Sequence, residues 1–232
     1  MNLLAIDTSS LACSVALQCG DDIIDRHEER AREHTRLLMP MIHQVLGEAG
    51  VASGDIDAII LGNGPGSFIG MRIAASVAQG LAHGANVEIV PVSSLAAVAA
   101  QVFAESDARE VIVTQDAHMN EVYLGAFRRG VDGLPEPLLP ERLQGQTPIE
   151  ELDESTAGSR VAAGFGWQRY PHLATANEDL IGNMSAVLYP TARYLLPLGK
   201  AGLESGRVVA PQDIVPAYLR HKVAEKPRGK GP

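Results

Sequence analysis

Residues 62–72 read GNGPGSFIGMR and follow the apolar run IDAIIL. Glycine-rich turns between a strand and a helix often cradle phosphate, because free backbone N–H groups at a helix start face an anion. Two familiar versions of that chemistry fail here. A P-loop needs a lysine directly after its last glycine to reach the terminal phosphates. The chain has no lysine before Lys200. A dinucleotide fingerprint starting at Gly64 would place its third glycine on Ile69. Gly64, Gly66 and Ser67 therefore remain a weak anion site at most, and Ser67 is equally well placed to cap the helix that follows.

Other reactive groups are sparse. Asp7 and Asp116 each end an apolar run, where a carboxylate can hold a magnesium–phosphate or cap a turn, and both readings stay open. None of the seven histidines forms an H-x-x-x-H pair, so a two-histidine metal face on a helix is absent. No G-x-S-x-G nucleophile elbow occurs. Cys13 and Cys19 fall on one extended segment, about 20 Å apart, too far to bridge. No catalytic residue and no metal ligand is assigned.

The elements that position these groups follow from periodicity. LLAID, the alternating CSVALQC, and IIDRHEE predict a three-stranded antiparallel meander. Helical spacing then predicts a helix through Leu38, Met41, Ile42 and Val45, with Thr35 as its cap and Pro40 inside it. IDAIILG is a buried strand. SFIGMRIAASVAQGLAHG is a helix, VEIVPV a strand, and SSLAAVAAQVFAES a capped helix. The second helix carries Gly70, Ala74, Ala78 and Ala82 on one face, a stripe that lets another element approach closely. That element is either the helix's own sheet or a partner.

REVIVTQDAHMNEVYLGAFRRG repeats strand, polar turn, strand. Superposing Asp7 on Asp116 places Cys13, Val15 and Leu17 on Val122, Leu124 and Ala126. The expectation is a duplicated α/β fold, with residues 1–106 as one lobe and 107–219 as another. A C-terminal helix returning to the first lobe is left open. Residues 130–160 read as a surface excursion, and 220–232 as a basic, disordered tail.

Composition narrows the class. The 232 residues carry a net charge of −9, with 46% hydrophobic residues. Five basic residues lie in the tail, so the body is more acidic still and a poor match for nucleic-acid backbone. No apolar run reaches the roughly 18 residues of a membrane span. The N-terminus reads as a strand rather than a signal peptide, and a cytoplasmic protein without membrane contact is expected.

LLAIDTSSLACSVAL, REHTRLLMPMI, GNGPGSFIGMRIAASVAQGLA, VPVSSL, DAHMNEVY and PAYLR, in this order, resemble the bacterial TsaB (YeaZ) family. The resemblance implies an ASKHA fold (actin, Hsp70 and sugar-kinase-like) of two RNase-H-like lobes with mixed sheets. It implies a non-catalytic subunit required for N6-threonylcarbamoyladenosine (t6A) in tRNA, at the adenosine 3′ of the anticodon. Such a subunit pairs with TsaD, which transfers threonylcarbamoyl from threonylcarbamoyl-AMP. TsaE joins a larger complex, tRNA is met indirectly, and a homodimer forms without TsaD. The implied partner surface is His34, Leu38, Met41, Ile42 and Val45 on the first helix and Met71, Ala74, Ala75 and Ala78 on the second. Asp7, Thr8, Gly64, Gly66, Ser67 and Asp116 would be a vestigial nucleotide site. No cofactor is required by the chain, and ATP or ADP with Mg is left for the partner interface. Ile69 stands where the family usually has Thr, which weakens any anion site. Two rivals remain: an ATP-hydrolysing enzyme of this fold using Asp7 and Asp116, and a glycoprotease-like peptidase.

Overall fold

The computed structural model describes residues 1–152 and 158–220. Strands β1 (Asn2–Asp7), β2 (Cys13–Cys19) and β3 (Asp22–Glu28) form the meander. Helix α1 (His34–Ala49), β4 (Ala58–Gly62), α2 (Phe68–Ala85), β5 (Ile89–Val92) and α3 (Ser94–Glu105) follow. The second half runs β6 (Glu110–Asp116), β7 (Val122–Arg129), β8 (Pro135–Gln144), β9 (Arg160–Ala163), α4 (Phe165–Arg169), α5 (Pro171–Ala176), β10 (Ile181–Met184) and α6 (Ala192–Glu204). One sheet has the order β3-β2-β1-β4-β5, the other β10-β9-β6-β7-β8. Read from its meander edge, each sheet has the same order, so the fold is the two-lobed α/β arrangement that the resemblance implies.

Each sheet is covered on both faces. Leu4, Ile6, Cys13, Val15, Leu17, Ile59 and Leu61 meet α1 and α2 on the outer face of the first. Leu3, Ala5, Ala16 and Ile60 meet Ala192, Leu195 and Leu196 of α6 on its inner face. Helix α3 packs instead on the second sheet, with Leu95, Val98 and Phe103 against Val111, Val113 and Phe127. The two inner helices are thus exchanged between lobes, and they touch each other. Gly199 lets α6 lie against β4, since a methyl group there would collide with Ile60.

Three local expectations are corrected. Helix α1 starts two residues earlier than expected, with Glu33 at its N-cap and Thr35 inside its first turn. Pro40 lies inside α1 as expected, facing solvent. Part of the excursion at 130–160 is β8, an edge strand whose Pro135, Pro137 and Pro140 mark an unpaired border. The repeat slips by one residue on its first strand. Asp7 stands opposite Ser14, whereas Asp116 stands opposite Val122. Val122, Leu124 and Ala126 face outward as Cys13, Val15 and Leu17 do, so the counterpart of Asp7 is Gln115, opposite Tyr123. The tail from 221 to 232 lies outside the described residues.

Candidate functional site

The GNGPGSFIG loop is a seat for other backbone. A methyl group on Gly62 would collide with the Asp7 carboxylate, on Gly64 with the Ser94 amide, on Gly66 with the Ser9 carbonyl, and on Gly70 with the Thr8 carbonyl. All four glycines therefore admit the β1–β2 turn and the start of α3. Three of the loop amides are engaged within the chain. Asn63 N donates to Val92 O (2.7 Å), Gly64 N to Ser94 Oγ (3.3 Å), and Ser67 N to Ser9 O (2.6 Å). Thr8 Oγ1 donates to Gly70 O at 2.7 Å. Ser67 caps α2 by accepting from Gly70 N at 3.2 Å.

Asp7 is spent in the same way. It is 1% exposed. Its Oδ1 accepts from Ser9 N and Ser9 Oγ, both at 2.8 Å, and its Oδ2 from Ser94 Oγ at 2.6 Å. Burial pushes its carboxyl above the ordinary value, against the opposing pull of these hydrogen bonds. Asp116 lies on the opposite face of its own sheet. The Tyr170 hydroxyl donates to it at 2.8 Å and His118 N at 2.8 Å, with Arg169 at 3.9 Å. Burial, then the hydrogen bond to Asp116, pushes the Tyr170 phenol up to about 12. Asp7 and Asp116 therefore do not converge on a shared ion. These residues do not fit a magnesium–nucleotide held by this chain alone. Among the described residues no group of three His, Cys, Asp or Glu could hold a metal.

A cleft of about 900 Å³ does open between the lobes. Ser10, Arg32, Gln115, Asp116 and His118 line it, and the exposed Leu11 and Ile69 stand at its rim. Of the six residues read as a nucleotide site, only Ser67 and Asp116 reach this cleft.

The nine residues read as a partner surface are corrected as a group. His34, Leu38, Met41, Ile42, Val45, Met71, Ala74, Ala75 and Ala78 are all buried within the chain. The small stripe brings α2 flush onto its own sheet, and His34 Nε2 reaches Ala12 O at 3.3 Å. The surface of α2 left open is its other side: Ile69, Ser76 and Gly80 with Gly84, flanked by the half-buried Ile73, Val77 and Leu81. Nothing lies within 4 Å of a Cβ built on Gly80 or Gly84. A glycine inside a helix costs about 1 kcal/mol relative to alanine, and the fold offers no internal reason for these two. Their spacing of four is legible in the sequence, but the side it faces is not.

The comparisons with known proteins agree with this geometry. Residues 27–227 match the family described as "TsaD: tRNA N6-adenosine threonylcarbamoyltransferase". The Escherichia coli tRNA threonylcarbamoyladenosine biosynthesis protein TsaB is 37% identical, over 97% of both chains. The chain belongs to the TsaB family. The TsaB protein of Haemophilus influenzae is 34% identical over 97% of this chain and 96% of its own. The crystal structure of a Pseudomonas aeruginosa protein with similarity to peptidase YEAZ superposes with a TM-score of 0.87 at 35% identity, over 94% of this chain and 99% of that one. The sealed Asp7 and the internally bonded Asn63, Gly64 and Ser67 amides sit alongside the missing phosphate fingerprints. Among the described residues no helix is long and apolar enough to cross a membrane.

Proposed function

We propose that this chain is a non-catalytic subunit of t6A synthesis in tRNA, acting in the cytoplasm by holding TsaD in its working form. The observation that carries the non-catalytic reading is Asp7: the carboxylate best placed by sequence to bind a metal–phosphate is buried under Ser9 and Ser94. The full-length likeness to TsaB proteins supplies the pathway. TsaD docks on the open side of α2, where Gly80 and Gly84 let a partner helix approach closely. TsaE joins through TsaD, tRNA is met indirectly, and a homodimer uses the same face when TsaD is absent. ATP or ADP with Mg belongs to the interface and takes nothing from Asp7.

Two substitutions on one helix test the docking face. Gly80→Arg adds a side chain into open space and leaves thermal stability within a few degrees of the parent, but abolishes co-purification with TsaD. A complex that survives Gly80→Arg and Ser76→Arg overturns this face. Depletion of the chain in cells lowers t6A in total tRNA, read by nucleoside mass spectrometry. Unchanged t6A, or MgATP turnover by the lone chain, overturns the function.

A further inference from the structure

We propose that residues 207–220 form a latch that bridges the two lobes beside the interlobe cleft and sets the angle between them. The proposal does not depend on the partner reading above. The segment is anchored on the first lobe along its length. Val209 and Ile89 exchange backbone hydrogen bonds at 2.8 and 3.0 Å. Gln79 Nε2 donates to Pro211 O at 3.0 Å, and Ile214 is buried in the core under α2. The Asn63 side chain donates to Val215 O and accepts from Ala217 N, at 3.0 and 3.2 Å. The Tyr218 ring lies 5.5 Å from Phe68, and its hydroxyl accepts from Arg72 Nε at 2.8 Å.

Two residues later the chain grips the other lobe. Leu219 packs against the α3 cluster on the second sheet. Arg220 Nη2 donates to Ala117 O at 3.0 Å and to the Glu121 carboxylate at 2.5 Å. The turn it holds is unusual. His118, Met119 and Asn120 have φ of 60°, 52° and 61°, three successive left-handed residues with no glycine. Such a turn persists only when its surroundings hold it, and Arg220 binds both of its ends. A small cavity of about 90 Å³ remains where the grips meet, lined by Ser67, Phe68, Ala117, His118, Tyr218 and Arg220. The crossing of α3 and α6 ties the lobes elsewhere. That crossing is the hinge and the segment is the latch.

The test uses the full-length chain with spin labels on the exposed positions His43→Cys and His172→Cys in a Cys19→Ser background. Cys13 is buried and its thiol is pushed up to about 12, so it stays unlabelled. Arg220→Ala and Tyr218→Ala are expected to lengthen and broaden the interlobe distance distribution. Exchange of the 117–121 amides should quicken about tenfold on loss of the Arg220 hydrogen bonds, while β1 and β6 stay protected. Val215→Ala, at a 67% exposed site, should change neither. An unchanged distance in both variants overturns the latch. Loss of protection in both sheets along with the turn also overturns it, because the segment would then be ordinary core.

Discussion

At the residue scale, Asp7 separates what is local from what is not. Its place at a strand end is legible in LLAID, and so are the Ser67 and Ser93 caps, because a cap needs only residues two or three positions away. Its fate is not legible, because Ser94 lies across the molecule in α3. The burial predicts a sign. With its folded pKa raised, Asp7 binds a proton more readily in the native state than in the unfolded chain. Its contribution to stability is full below its unfolded value of about 4 and is lost as pH rises through the folded value. Asp7→Asn should therefore flatten the fall in stability as pH rises above about 4, read as the difference between urea titrations of the two proteins. Gly70 makes a steric prediction. Gly70→Ala drives a methyl into the Thr8 carbonyl, on backbone that cannot swing away. The expected cost is about 1–3 kcal/mol, checked by chemical denaturation.

At the element scale, α2 is legible as a close-packing helix, while the occupant of its small-residue stripe is not. Periodicity gives a stripe but not its occupant: sheet and partner both welcome Gly70, Ala74, Ala78 and Ala82. Only the tertiary structure shows the sheet beneath them. Ala78→Arg therefore belongs to stability and not to binding. The side chain is 0% exposed, and a buried unpaired guanidinium should cost more than about 3 kcal/mol, seen as insoluble expression or a collapsed melting temperature. Gly80→Ala should do the reverse, raising stability by about 1 kcal/mol through helix propensity. The start of α1 was misplaced because Thr35 is the better capping residue, while the chain enters α1 through Arg32 at φ 65° and Glu33. β8 was missed because its three prolines suppress any strand signal, and an edge tolerates them.

At the scale of the whole molecule, the repeated sheet order was readable from the two meanders, but the exchange of α3 and α6 was not, since neither helix names its sheet. A fragment ending at residue 106 would keep α3 without the second sheet and the first sheet without α6. It should give no cooperative melt by circular dichroism, whereas the full chain should unfold in a single transition. The same exchange governs the order of events as the protein leaves the ribosome. The first sheet's inner face, with Leu3, Ala5 and Ile60, is complete in covalent terms before α3 ends at Glu105, yet its cover, α6, ends at Glu204. At roughly 5–20 residues per second of synthesis, that face waits on the order of 5–20 s for its helix. During that interval the nascent chain offers an apolar surface of the kind chaperones shield, so slower translation of the second half lengthens its exposure to aggregation.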